Sequence, residues 1–228
     1  MKLSSLRNRA ARNTALVIAA ALAIAPFGGV ASAETPSSSI TSIEKDGRNW
    51  HFQVYSAAMN KDIKVEVQRP ADESTPAPNQ YLLSGLDAGL GSASWQRQTD
   101  ALEFLGDKQV NVVLPIGGYG SYYADWRQED PVLGVNKWQT FLTQELPPLL
   151  DDALGSTGRN SLAGLSTSGT AVLQLAENKP GLFGSVAAYS GCAQIADPVG
   201  RAFLKLPVET RAGGNTVNMY GPNNDPAW

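Results

Sequence analysis

The 228-residue chain is 43% hydrophobic and 17% charged, carries a net charge of −3, and has 22 glycines and 14 prolines, the composition of a turn-rich globular protein. A single cysteine, Cys192, excludes a disulfide within the chain, and a single histidine, His51, argues against a His-based metal site. No carboxylate run has metal-loop spacing, so neither a metal nor a cofactor is expected.

The N-terminus is a distinct segment. Lys2, Arg7, Arg9 and Arg12 precede an apolar run from Ala15 to Phe27, and Ala31-Ser32-Ala33 supplies an A-x-A cleavage site. That order reads as a secretory signal peptide over residues 1–33, with an apolar core shorter than the ~20 residues of a membrane span. Its removal takes away four basic and no acidic residues, moving the net charge from −3 to −7. An exported protein this acidic is a poor nucleic-acid binder. Residues 34–49, with a Ser/Thr/Pro tract at 35–39, are expected to form a flexible mature N-terminus.

From residue 50 the pattern is that of one domain. Trp50–Ser56 and the alternating Ile63, Val65 and Val67 read as a hairpin turning at Asn60-Lys61. Tyr81-Leu82-Leu83 is a short buried strand leading into Ser84-Gly85-Leu86-Asp87. Ala93–Phe104 has the spacing of an amphipathic helix. Val110–Leu114 is a strand stopped by Pro115, with Gly117 and Gly118 beyond it. Lys137–Leu150 is helical in pattern, and Pro147-Pro148 must end or kink it. Ser161-Leu162-Ala163 leads to Gly164-Leu165-Ser166-Thr167-Ser168-Gly169, then to a helix over Thr170–Lys179. Ser185–Tyr189 is a further short strand. Strands alternating with helices after a hairpin predict an α/β fold with a mainly parallel sheet.

The six residues 164–169 have the form of a nucleophile elbow, in which a tight strand-to-helix turn lifts a serine hydroxyl clear of the backbone. Ser166 is the candidate nucleophile, and the Thr167 amide is aimed where an oxyanion develops. Ser168 stands where the G-x-S-x-G pattern has glycine. Loops leaving the carboxyl ends of the strands share one rim, which groups Ser84–Ala88, Pro115–Asp125 and Ser166–Gly169. Leu86 N–H is thereby a second oxyanion donor beside Thr167. Cys192 is expected to be a small buried residue, and Trp126 and Trp138 to be packing residues with locally satisfied indoles. Asp125 is expected to pin its own loop.

Several segments resemble one family in order: Met59-Asn60-Lys61-Asp62-Ile63-Lys64-Val65, Tyr81-Leu82-Leu83-Ser84-Gly85-Leu86, Pro115-Ile116-Gly117-Gly118, and Ser121-Tyr122-Tyr123-Ala124-Asp125-Trp126. So do Lys137-Trp138-Gln139-Thr140-Phe141-Leu142-Thr143-Gln144-Glu145-Leu146-Pro147, Gly164-Leu165-Ser166, and Tyr220-Gly221-Pro222-Asn223-Asn224-Asp225-Pro226-Ala227-Trp228. Over about residues 51–228 the chain resembles the antigen 85-type mycolyltransferases of mycolic-acid bacteria. The resemblance implies an α/β-hydrolase fold over residues 50–228 and a secreted, cell-envelope acyltransferase acting as a monomer among envelope lipids. Its substrates would be trehalose mycolates or other acyl-sugars, and Ser166 would carry the acyl group. It also implies Leu86 and Thr167 as oxyanion donors and Asp87 and Asp197 as substrate-binding positions.

Two departures accompany it. Where the family has an aspartate and an arginine flanking Gly-Leu, this chain has Ser84 and Asp87, which bears on the sugar acceptor. No histidine follows Ser166, although a serine hydroxyl needs a histidine base oriented by a carboxylate. Glu209 and Asp225 follow Ser166 as candidate acids, and His51 lies in the opening hairpin. Two explanations stand: a C-terminally truncated chain without the final strands and helices, which is preferred because the resemblance stops inside a motif, or a non-catalytic envelope-binding relative. A carboxylesterase using the same elbow is the alternative chemistry.

Overall fold

A computed structural model describes residues 37–223 and 225; the expected signal peptide lies outside them. The strands are β1 (Ser39–Asp46), β2 (Asn49–Ser56), β3 (Lys61–Gln68), β4 (Asn79–Leu83), β5 (Asn111–Ile116), β6 (Asn160–Leu165) and β7 (Phe183–Tyr189). They form one sheet in the order β1-β2-β3-β5-β4-β6-β7. The β1-β2, β2-β3 and β3-β5 pairings are antiparallel, whereas β5-β4, β4-β6 and β6-β7 are parallel. The sheet is therefore mixed, with its parallel half carrying the elbow.

Alternation along the strands divides the interior between the two faces. Tyr81 and Leu83 of β4 and Val113 of β5 join the main core with Phe52, Val54, Val65, Trp138, Phe141, Leu146, Leu150 and Leu175. Leu82, Val112, Leu114 and Ala163 form the opposite cluster, covered by Trp95, Leu102 and Leu105. Burying each such side chain contributes about 1.5–3 kcal/mol. The sheet is thus covered by helices on both faces.

Four features of the fold differ from the sequence reading or decide an alternative it left open, each for a physical reason. First, residues 34–49 are not a flexible tail throughout, because Ser39–Asp46 is the edge strand β1, paired with β2. All but one of its side chains are exposed, so it leaves no hydrophobic alternation to read. Second, β5 runs through Pro115 to Ile116. Its pairing with β4 has already ended at Val113, where a missing N–H is tolerated as at a sheet edge. Third, the helix expected over Ala93–Phe104 is two short ones, α1 (Trp95–Gln98) and α2 (Ala101–Leu105). Thr99 between them is extended, and its hydroxyl donates to Trp95 O at 2.6 Å.

Fourth, the prolines kink rather than end the helix of residues 138–154. α3 (Trp138–Thr140) passes into a π-helical turn (Phe141–Glu145) and then α4 (Leu146–Leu154), which takes Pro147-Pro148 in its first turn. Proline has no N–H to donate there, and the wider turn directly upstream absorbs the distortion. Glu145, in that turn, accepts the Ala58 N–H at 2.8 Å and the Ser56 hydroxyl at 2.5 Å.

α5 (Thr167–Asn178) follows β6 directly. Beyond β7 come three elements without a counterpart in the sequence reading: α6 (Pro198–Lys205), a second π-helical turn (Leu206–Arg211) and α7 (Thr216–Tyr220). Leu204, Val208 and Met219 pack there with Tyr122, Ala124 and Trp126 of the loop after β5 in a separate small core. Among the described residues no helix is long and apolar enough to cross a membrane.

Candidate active site

Ser166 stands between β6 and α5 with φ 57° and ψ −122°, a left-handed conformation that costs a non-glycine residue on the order of 1–3 kcal/mol. Its amide donates to Tyr189 O at 2.8 Å, and its side chain is exposed at the apex of the turn. The backbone around it leaves no spare room. A Cβ on Gly164 would lie 2.3 Å from Ser168 O, and one on Gly169 would lie 2.6 Å from Tyr189 O. Strand, helix and the chain leaving β7 pack main chain on main chain, which is why small residues bracket the serine.

Ser168, the residue in place of the customary glycine, is fully buried. Its hydroxyl donates to Leu83 O at 2.7 Å, lies 2.9 Å from Leu165 O, and accepts the Leu165 N–H at 2.9 Å. It ties the end of β4 to the elbow, an interaction glycine cannot make. The same junction brings in the loop after β4. A Cβ on Gly85 would lie 3.3 Å from Ser166 Cβ, so Leu86 follows a backbone pressed against the serine.

A cavity of about 340 Å³ opens at this point, and its lining includes Ser166, Thr167, Leu86, Tyr122, Cys192 and Arg211. The three loops expected to share a rim each contribute a residue. Thr167 is the first residue of α5, where no intrahelical carbonyl can reach the N–H. Among the described residues neither the Thr167 nor the Leu86 amide donates to an internal acceptor. The cavity thus gathers an exposed hydroxyl and two residues whose N–H groups are uncommitted among the described residues.

The loop after β5 forms the next part of the wall. Tyr122 and Tyr123 both have positive φ, at 55° and 51°, and the Tyr123 amide donates to Ser121 Oγ at 3.0 Å. Burial, and less strongly Cys192 and Tyr220, push the Tyr122 phenol well above its ordinary pKa, so it meets the cleft as a neutral hydroxyl. Burial likewise pushes Tyr220 up to about 12, although its bond to Gln174 opposes the shift. Asp125 pins the loop to α3, accepting the Thr140 N–H at 3.0 Å and its hydroxyl at 2.6 Å. Trp126 and Trp138 are buried, their indoles donating to Ser121 O at 3.0 Å and Asn136 Oδ1 at 3.2 Å.

Of the remaining sequence-derived positions only Cys192 lines the cavity. Asp87 accepts the Gly89 and Ala93 N–H groups at 3.3 and 3.0 Å, so its carboxylate shapes its own loop. Asp197 is the N-cap of α6, accepting the Gly200 N–H at 2.7 Å. Cys192 is half-buried and lines the cavity rather than lying in the core. Its amide donates to Thr170 Oγ1 at 2.8 Å, drawing the chain after β7 over the start of α5. His51 sits on β2, cross-strand from Glu44 and Glu66 and 3.9 Å from the Glu66 carboxylate. Glu209 accepts the Thr216 hydroxyl, and Asp225 pairs with Arg127. Neither carboxylate lines the cavity. Among the described residues no group of His, Cys, Asp or Glu could hold a metal.

Phe203, Leu206 and Arg211 also line the cavity and have no counterpart in the sequence reading. The available signal was Asp197-Pro198, an N-cap followed by a proline at the first helical position.

The chain matches the Esterase family model over residues 56–228. It is similar to the diacylglycerol acyltransferase/mycolyltransferase Ag85B of Mycobacterium intracellulare, 36% identical over 184 residues, covering 78% of this chain and 54% of that protein. Ag85A of Mycobacterium leprae is 36% identical over 185 residues with the same two coverages. The chain thus spans about half the length of the curated relatives it matches. Among solved structures it is similar to Mycobacterium tuberculosis MPT51 (FbpC1), 26% identical with a TM-score of 0.66, covering 78% of this chain and 64% of that one. An S-formylglutathione hydrolase from Agrobacterium tumefaciens, 18% identical with a TM-score of 0.59 over 76% of this chain and 72% of that one, shares the fold. The α/β-hydrolase fold anticipated from the sequence is the fold observed.

Proposed function

The chain belongs to the Esterase family and is similar to the antigen 85 mycolyltransferases, and on that premise we propose that it is a secreted serine acyltransferase of the cell envelope. In this reading it moves a mycolic or other long acyl group between trehalose esters, or onto cell-wall sugar, as a monomer. The observation that carries it is the placement of Ser166, exposed at a strained strand-to-helix apex in the same cavity as the uncommitted amides of Leu86 and Thr167.

Ser166 Oγ attacks the ester carbonyl carbon and gives its proton to solvent water. The carbonyl π electrons move to oxygen, whose charge the two N–H groups receive. The bond to the leaving sugar oxygen then breaks, that oxygen takes a proton from water, and an acyl-serine remains. A hydroxyl of the acceptor attacks the acyl carbon and gives its proton to water, the bond to Ser166 Oγ breaks, and that oxygen takes a proton from water, which restores Ser166. Two easier steps replace one difficult one. No histidine or carboxylate lines the cavity among the described residues. These groups alone account for the oxyanion-hole share of catalysis, on the order of 10³–10⁴ over water.

Carboxylesterase activity is the second reading. It is favoured by Asp87, whose carboxylate is spent on backbone amides of its own loop instead of being available to an acceptor sugar. The two are separated by supplying trehalose monomycolate as donor and acceptor and resolving the products. Trehalose dimycolate, absent with Ser166→Ala, supports transfer. Free mycolic acid alone supports the esterase, and no Ser166-dependent product overturns both.

A further inference from the structure

We infer that Ser168 is a positioning residue for acyl transfer: its buried hydroxyl holds the loop carrying the Leu86 amide against the elbow carrying Ser166 and Thr167. The inference rests on the reading of Ser166 as nucleophile and of those two amides as oxyanion donors, and it assigns what keeps the donors together.

The two amides belong to different elements. Thr167 opens α5, directly after the nucleophile, whereas Leu86 lies in the loop after β4. The pairing of β4 with β6 ends at Leu83 and Gly164, before either amide is reached. Past that point the Ser168 hydroxyl stands between the two chains, accepting the Leu165 N–H at 2.9 Å and donating to Leu83 O at 2.7 Å. It is fully buried, where a hydrogen bond is stronger than in water and an unpaired group is costly.

Both ends of this bridge lie close to the chemistry. Ser168 follows Thr167 in the first turn of α5 and moves with it. Leu83 is followed by Ser84 and Gly85, and a Cβ on Gly85 would lie 3.3 Å from both Ser166 Cβ and Leu165 Cδ1. Without the hydroxyl the Leu165 N–H loses this acceptor, and Leu83 O keeps the Trp95 indole at 2.9 Å, a group outside the elbow. Two donors serve one oxyanion only when each is held within about 0.5 Å of its working position. A hydroxyl that pins both chains supplies that constraint, and the customary glycine cannot.

The test uses Ser168→Ala, with Ile63→Val as a control that is destabilised in the main core away from the cavity. The probe is an alkyl fluorophosphonate. Ser166 Oγ bonds to phosphorus, fluoride leaves, the serine proton passes to water, and the phosphonyl oxygen takes the place of the oxyanion. The limiting rate of phosphonylation should fall about tenfold in Ser168→Ala, part of the 10²–10³ that outright loss of a donor costs. The half-saturating reagent concentration should stay unchanged, and Ile63→Val should keep the original rate. In the NMR spectrum of the adduct, the Leu86 and Thr167 amide protons should both move downfield, and in Ser168→Ala only Leu86 should lose that shift. Ser168→Gly carries the same two readouts where the alanine chain does not fold. An unchanged rate, a loss shared by Ile63→Val, or a Leu86 shift that survives removal of the hydroxyl overturns the inference and leaves the nucleophile standing. No adduct on Ser166 removes the nucleophile, and the inference with it.

Discussion

On one side of the cleft, residues 164–169 place an exposed serine, an uncommitted amide and the packing that holds them within six consecutive positions. On the other, the wall is assembled from residues 119–134 and 195–221, which are distant in sequence. The elbow is held by main chain against main chain, with a methyl group already too much at Gly164. The far wall is held by a small apolar cluster around Trp126 and by Asp130. One Asp130 oxygen accepts the Val132 and Leu133 amides, and the other accepts the Asn215 amide and the Asn218 side chain, all at 2.9 Å. Main-chain packing on one side meets a wall held by a small separate core on the other, so the far wall is the place for local opening.

The sharpest way to break this contrast is Gly164→Ala. The added Cβ, 2.3 Å from Ser168 O, forces β6 and α5 apart, and a loss of about 3 kcal/mol is expected in urea unfolding. An unchanged midpoint would mean that the elbow is looser than its geometry.

Asp130→Ala should act on the other side. Removing an acceptor of four donors costs about 2 kcal/mol, expressed as faster amide exchange in residues 195–221 with the α5 amides still protected. Burial alone would raise the Asp130 pKa, but the backbone N–H groups and Asn218 outweigh it and hold it below the ordinary value. A depressed carboxyl stabilises the folded wall above its unfolded pKa of about 3.9 and loses that contribution as pH falls through the lower folded value. The wall should therefore loosen only below about pH 4, and the Ala variant should lack that acid step. Uniform exchange across both sides would erase the distinction.

The smallest effect is expected from Ser168→Gly. It restores the customary elbow residue but removes the hydroxyl that donates to Leu83 O and accepts the Leu165 N–H, leaving Leu83 O with the Trp95 indole N–H alone. A destabilisation of about 1 kcal/mol is expected by thermal unfolding, against the gain that a more regular motif would suggest.

The same contrast explains what could be read from the residues. That Ser166, Thr167 and Leu86 meet at one cavity was legible because an elbow is local and its companion loop follows a recognisable apolar strand. The far wall was not. Asp197 is a helix cap in the fold, not a group on the cavity, and α6 has too few buried residues to announce itself by periodicity. β1 escaped notice for the same reason, its side chains facing water. Pro147-Pro148 were legible as a disturbance, but only the tertiary packing of Phe141 and Leu146 in the main core decides that the helix kinks and continues. Cys192 lies on the cleft because its backbone must bridge to Thr170, a constraint no nearby residue encodes.

The central claim is that Ser166 is the nucleophile. It is tested most directly by treating the chain with an alkyl fluorophosphonate and mapping the adduct by mass spectrometry. The account predicts a single phosphonylated residue, Ser166, formed faster than on free serine. No adduct, or an adduct on Cys192 or another serine with Ser166 untouched, would contradict it.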